Sequence, residues 1–161
     1  MSRLTHTDEN GSARMVDVGE KPVSKRTAQA EGSVFLNPET FALVKGNGTK
    51  KGNVLETAKL AGIMGAKKTG DLIPLAHPIL LDHIDVTLTP DEETCCIRIR
   101  ADVTSTGKTG VEMEAMTAVS VAALTVYDMC KAIQRDVVIG EIRLLKKTGG
   151  VHGDYEFSVD R

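Results

Sequence analysis

The chain has 161 residues, with 20 Lys and Arg set against 22 Asp and Glu and a formal net charge of −2. That balance excludes a nucleic-acid binder held by bulk positive charge. With 41% apolar and 26% charged residues, it also excludes disorder and a fibrous repeat. A chain of this size buries roughly 68–70% of its unfolded surface, so one soluble domain with its own core is expected without disulfides or a structural metal.

Aromatic residues make up only 3%, with no Trp, so Val, Ile, Leu, Met and Ala must fill the core and stacking platforms for single-stranded nucleic acid are scarce. The three cysteines, Cys95, Cys96 and Cys130, are odd in number and form no Cys-x-x-Cys pair, which suits a reducing compartment. The opening Met1-Ser2-Arg3-Leu4-Thr5-His6 lacks the apolar run of a signal peptide, and no stretch reaches the roughly 18 apolar residues of a membrane span. A cytoplasmic protein is expected.

Residues 1–30 show no sustained period and read as a flexible or partner-dependent arm, followed by a single α+β domain over 31–161. A strand is predicted near Gly32 to Leu36. Asn37-Pro38-Glu39 then combines a capping Asn with a Pro suited to the first helical position, and Gly46 ends a short helix before the Asn47-Gly48 turn. Asn53-x-x-Glu56 resembles a capping box that opens a helix running to about Lys68, with Gly70 as its stop. Small residues on that helix, Ala58, Ala61, Gly62, Gly65 and Ala66, allow a close neighbour.

Asp71-Leu72-Ile73-Pro74-Leu75-Ala76-His77-Pro78 reads as a stiff apolar loop, because each proline pushes its predecessor towards extended backbone. Alternation at Ile84, Val86 and Leu88, and again at Ile97, Ile99 and Ala101, predicts an antiparallel hairpin around Pro90-Asp91-Glu92-Glu93. A helix is predicted from Glu112 to about Ala132, and it is largely enclosed, since Ala115 through Tyr127 carry no charge. A strand at Ile139 to Leu145 and a last one with Tyr155, Phe157 and Val159 flank a Gly-rich loop at Thr148 to Gly153. The element order predicts a ferredoxin-like split βαβ sandwich, a mainly antiparallel sheet with helices on one face.

Thr106-Gly107-Lys108-Thr109-Gly110 lies between strand and helix but has Asp102 where a phosphate loop needs Gly, so only a looser anion-binding turn remains, beside the reading of an ordinary polar turn. Glu112 and Glu114 open the long helix, where the dipole favours acids, so both can be structural. Asp128 opposes the dipole in the last turn of a helix read as enclosed. Lys131, one turn on, can pair with it. A shielded pair of this kind has movable pKa values, as acid–base catalysis requires, although a structural ion pair explains it equally. His77 is presented by a rigid loop, or is merely packed. His6 and His83 lack partners at metal-ligand spacing, and no metal site is expected. Lys25 and Arg26, Lys50 and Lys51, and Lys146 and Lys147 supply cation pairs suited to polyphosphate or simply to water.

Taken together, Lys51-Gly52, the segment Asp71 to Pro78, the segment Thr106 to Glu114, and Tyr127-Asp128-Met129-Cys130-Lys131 resemble the molybdenum cofactor biosynthesis protein C family, the cyclic pyranopterin monophosphate synthases. The likeness runs from about Met15 to Phe157. It implies a ferredoxin-like fold and a homohexamer, a trimer of dimers with sites at dimer interfaces. The implied activity is that of a lyase converting 3′,8-cyclo-7,8-dihydro-GTP into cyclic pyranopterin monophosphate and pyrophosphate without a cofactor. It further implies Asp128, Lys131 and Lys51 as catalytic residues, and Leu75, Ala76, His77, Met113 and Glu114 as substrate contacts, with Glu112, Arg26 and Lys108 as further contacts. Ala76 stands where the family usually has Cys, which is immaterial if that contact is made through the backbone. Two rival readings of the same residues are a nucleotide-binding regulator without turnover and a scaffold in which Asp128 and Lys131 only fix an interface.

Overall fold

The two asparagine caps organise the first helical segments as the sequence predicts. In a computed structural model describing residues 6–8 and 10–158, Asn37 accepts a bond from the Thr40 amide to open α1 (Pro38–Lys45), which Gly46 closes. Asn53 accepts from the Glu56 amide at 3.0 Å to open α2 (Val54–Lys67). These bonds satisfy first-turn amides that would otherwise lack partners.

The strand expected over Gly32 to Leu36 is β1, and it runs Ser24–Phe35, so residues 24–30, read as arm, form the first half of a central strand. Its inward positions there are Arg26, Ala28 and Ala30, all buried, rather than large apolar residues, which hides the alternation from a hydrophobic pattern. The remaining elements are α3 (Thr69–Leu72), β2 (His83–Asp91), β3 (Cys96–Gly107), α4 (Glu112–Cys130), β4 (Val138–Thr148) and β5 (Tyr155–Glu156). All neighbours in the sheet order β2-β3-β1-β4-β5 are antiparallel. With helices α2 and α4 packed on one face, the arrangement is the ferredoxin-like α+β sandwich expected. The other face carries polar pairs such as Arg143 with Glu31 and Arg100 with Gln29.

Helix α4 lies against β1, β3, β4 and α2, and its Ala115, Ala118, Val119, Ala122 and Val126 are wholly buried. The approach of α2 to α4 is possible only because two contact positions lack a side chain. A Cβ on Gly62 would sit 2.9 Å from the Ala118 carbonyl oxygen, and one on Gly65 would sit 2.8 Å from the Val121 side chain.

Three further expectations are corrected. Gly70 does not stop α2, which ends at Lys67; it lies inside α3, where a Cβ would press on Pro78, so its smallness lets the following loop pass. Asp71 and Leu72 are accordingly helical, and the extended loop begins at Ile73. The last strand is short: Tyr155 and Glu156 pair with β4, Phe157 stacks its ring under the Arg143 guanidinium at 4.6 Å, and Val159 lies outside the described residues. No helix among the described residues is long and apolar enough to cross a membrane.

Candidate active site

The first turn of α4 meets the loop after α3 in a cavity of about 450 Å³. Leu75, Ala76 and His77 line it from the loop, and Glu112, Met113 and Glu114 from the helix, so six of the expected substrate contacts are brought together. A turn closed by the Ala76 amide on the Ile73 carbonyl, at 3.0 Å, sets the loop. His6 from the N-terminal segment and Thr109 and Gly110 from the turn before α4 complete the wall. Nothing in the local sequence of His6, which lacks partners at metal-ligand spacing, signals a place in this cavity.

Glu114 is the chemically unusual member. It is only 4% exposed, and burial pushes its carboxyl up to about 7, with the neighbouring Glu112 charge adding to the rise and its own backbone amide opposing it. A carboxyl poised there can hold or release a proton near neutrality, as a general acid or base must. No side chain caps α4, whose N-cap residue is Val111.

A smaller recess of about 170 Å³ shares Thr109, Gly110 and Glu112 with the cavity. Lys21, Arg26, Lys108, Lys147 and His152 line it together with the Gly-rich loop. Lys147 holds Glu112 at 2.8 Å. Arg26 is 5% exposed and its guanidinium donates to the Gly107, Lys108 and Pro22 carbonyls, so it braces the turn before α4 as well as lining the recess. Gly149 and Gly150 adopt left-handed φ values of 81° and 112°, and a Cβ on Gly150 would lie 2.1 Å from an Arg26 nitrogen. Only glycine lets the loop come down over that guanidinium. Of the lining residues, Lys21 and His152 have no signal in the sequence, where an isolated Lys or His in a polar stretch marks nothing.

The catalytic residues implied by the resemblance stand elsewhere. Asp128 lies in the last turn of α4, where its carboxylate pairs with Lys131 at 2.7 Å and Lys51 at 3.1 Å. The turn from Thr49 to Gly52 presents Lys51, which also donates to the Asp128 carbonyl at 2.8 Å and so satisfies an orphan group at the helix end. The expectation that this pair is shielded is corrected: the side chains of Asp128 and Lys131 are 57% and 54% exposed. The uncharged run suggested enclosure, but both residues fall on the stripe of α4 turned away from the sheet and α2. Their ionisation is therefore set by each other and not by burial. Bonding to Lys131 first, then to Lys51, holds the Asp128 carboxyl below the usual range, and Asp128 in turn raises Lys131. Both therefore stay charged at neutral pH. Behind them the buried Cys130 thiol is pushed up by desolvation.

At about 1.5 Å per residue, roughly 24 Å of helix separates Glu112 from Asp128. The cavity and the ion trio thus lie at opposite ends of one rod. Among the described residues no group of three or more His, Cys, Asp or Glu is arranged to hold a metal ion.

Residues 15–150 match the sequence profile of the MoaC family. The chain belongs to the MoaC family. Members similar to it include proteins named cyclic pyranopterin monophosphate synthase from Parvibaculum lavamentivorans, 54% identical over 96% of both chains, and from Roseiflexus sp. strain RS-1, 57% identical over 96% of this chain and 98% of that one. A MoaC relative of the same name from Pelotomaculum thermopropionicum is 55% identical over 97% of this chain and 92% of its own.

Proposed function

We propose that this chain, like the relatives it resembles, is a cyclic pyranopterin monophosphate synthase, a lyase that takes 3′,8-cyclo-7,8-dihydro-GTP to cyclic pyranopterin monophosphate and pyrophosphate in molybdenum cofactor biosynthesis. The observation that carries this reading is the pair of adjoining recesses around Glu112, one with a buried carboxyl poised near neutrality and one lined by cations. A guest with a guanine-derived heterocycle and a triphosphate has matching halves.

In this reading Glu114 and His77 face the heterocycle, whose ring opening and reclosure demand several proton transfers. Leu75, Ala76 and Met113 supply the apolar wall. Lys21, Lys108, Lys147 and Arg26 receive the phosphates and counter charge building on the phosphoryl oxygens. A sugar hydroxyl oxygen bonds to the α-phosphorus, its proton passes to a base, and the bond from the α-phosphorus to the oxygen bridging to the β-phosphate breaks to release pyrophosphate. The Lys131 ammonium donates to the rearranging ring, with Asp128 and Lys51 holding it.

A span of roughly 24 Å is too long for one such guest to touch both ends of α4. A second copy must therefore supply the Asp128 end to the cavity of the first. This supports an assembly of dimers with sites at their interfaces, and a homohexamer built as a trimer of dimers accommodates it.

Incubating the protein with the cyclised dihydro-GTP and following oxidised pterin fluorescence alongside pyrophosphate tests the reading. Equal yields of both products are expected. Tight binding without pyrophosphate release would overturn it in favour of a nucleotide-binding regulator.

A further inference from the structure

The N-terminal segment holds a shape of its own. One Asp8 carboxylate oxygen accepts the Asn10 and Ser12 amides at 2.9 and 2.8 Å, while the Asp8 amide donates to the Ser12 carbonyl at 2.9 Å. An Asp placed in this way mimics a turn of backbone, and Gly11 supplies the left-handed residue, at φ 80°, that the reversal needs. Thr7 bridges Ala13 antiparallel, and the Arg14 amide donates to the His6 carbonyl at 2.9 Å. His6 and Arg14 thus face each other at the open end of a small hairpin.

The chain after the hairpin is tied to the cation-lined recess. The Lys108 ammonium donates to the Gly19 carbonyl at 2.6 Å, the Arg26 guanidinium reaches the Pro22 carbonyl, and Lys21 between them lines the recess. His6 lines the other cavity, together with His77 and Glu114. One segment therefore touches both recesses, moored at the first by two cations and presenting an imidazole at the second. His6 is exposed, so packing in the core does not account for its place.

An imidazole carries two ring nitrogens, one of which donates and the other of which accepts when the ring is neutral. The edge of a guanine-derived heterocycle offers partners for both, whereas Leu75 and Ala76 in the same wall offer no polar side chain. We propose that His6 is a further substrate-contacting residue, which hydrogen-bonds the heterocycle of the bound guest and is delivered to the cavity by the Asp8-capped hairpin. The inference deepens the reading of the two recesses given above and rests on it. Because the hairpin bonds order His6 in advance, little freedom is left to lose when the guest arrives.

The two halves of the guest separate a contact from a merely structural role. Calorimetric titrations on the Lys131→Ala background, where the guest persists, compare the cyclised dihydro-GTP with inorganic tripolyphosphate, which carries no heterocycle. His6→Ala should weaken the first about 3–10-fold, the worth of one hydrogen bond, and leave the second unchanged. Asp8→Ala should weaken the first as well, and adding it to His6→Ala should cost nothing more, since both changes remove the same contact. Unchanged affinity for the whole guest in His6→Ala overturns the proposal. Equal losses for guest and tripolyphosphate also overturn it, because the segment then only shapes the cleft. Additive losses from His6→Ala and Asp8→Ala overturn delivery by the hairpin. Failure of the Lys131→Ala chain, with its other residues native, to bind the guest overturns the reading of the recesses. The expected His6→Ala pattern without pyrophosphate release by the native chain overturns the synthase activity and leaves the His6 contact standing.

Discussion

The two ends of α4 treat a carboxylic acid in opposite ways. At the first turn Glu114 is buried in the cavity wall, and loss of water raises its carboxyl to about 7. At the last turn Asp128 stands in solvent between Lys51 and Lys131, and the two cations keep it ionised. One end has a proton it can give or take near neutrality through desolvation. The other has fixed opposite charges through pairing, in a setting where solvent screens them. The contrast shows that a pKa in this helix follows what surrounds each side chain, and that an uncharged sequence run is no guide to burial.

Removing the donor at the exposed end gives the largest expected effect. Lys131→Ala should lower pyrophosphate release by about 10²–10⁴-fold, the usual contribution of a positioned acid, with the urea midpoint unchanged. Lys131→Arg should not restore turnover, because a guanidinium keeps its proton at working pH. Turnover in that variant near the wild-type level would reduce the trio to a charge cluster.

At the buried end the effect is on stability against pH. The folded Glu114 keeps its proton between its ordinary value near 4.3 and about 7, where the unfolded chain has lost it, so stability falls as pH rises through that window and is undiminished below it. Glu114→Gln should remove the loss, stabilising the protein by about 3 kcal/mol at pH 8 and hardly at all at pH 4. Thermal melts across that range check it. The same variant should abolish the kcat/KM limb near pH 7, and a limb that survives would assign it to another group.

The rod joining the ends can be loosened directly. Gly62→Ala thrusts a methyl group at the Ala118 carbonyl oxygen, and overpacking of this kind costs about 1–3 kcal/mol, readable as a lower urea midpoint. The smallest structural effect is expected of Asp128→Asn. Exposed ion pairs contribute little, so the urea midpoint in moderate salt should not move while turnover falls. Turnover near the wild-type level in that variant would leave Lys131 with no need of Asp128 as its holder.

Much of this fold was legible. Asn37, Pro38 and Asn53 announce helix starts through chemistry local to a few residues, and the alternation of Ile84 to Leu88 announces β2 in the same way. The first half of β1 was hidden because Arg26, Ala28 and Ala30 face inward, where a hydrophobic pattern expects Val or Ile. The grouping of Leu75, Ala76, His77, Met113 and Glu114 came from the resemblance; no local rule says that the loop after α3 meets the first turn of α4. The burial of Glu114 carries no signal in the sequence and the exposure of Asp128 runs against the enclosure expected of it, for a common reason: helix phase decides each, and phase is fixed by what packs against α4 from β1, β3 and α2.

The length of α4 has a consequence for how such a chain can vary. One residue inserted between Glu114 and Asp128 would swing everything beyond it by about 100° and push it along by about 1.5 Å. Lys131 would then point elsewhere while every cap and strand stayed intact. The helix is thus a gauge as well as a wall, and length changes that preserve turnover belong in surface turns such as the one between β2 and β3.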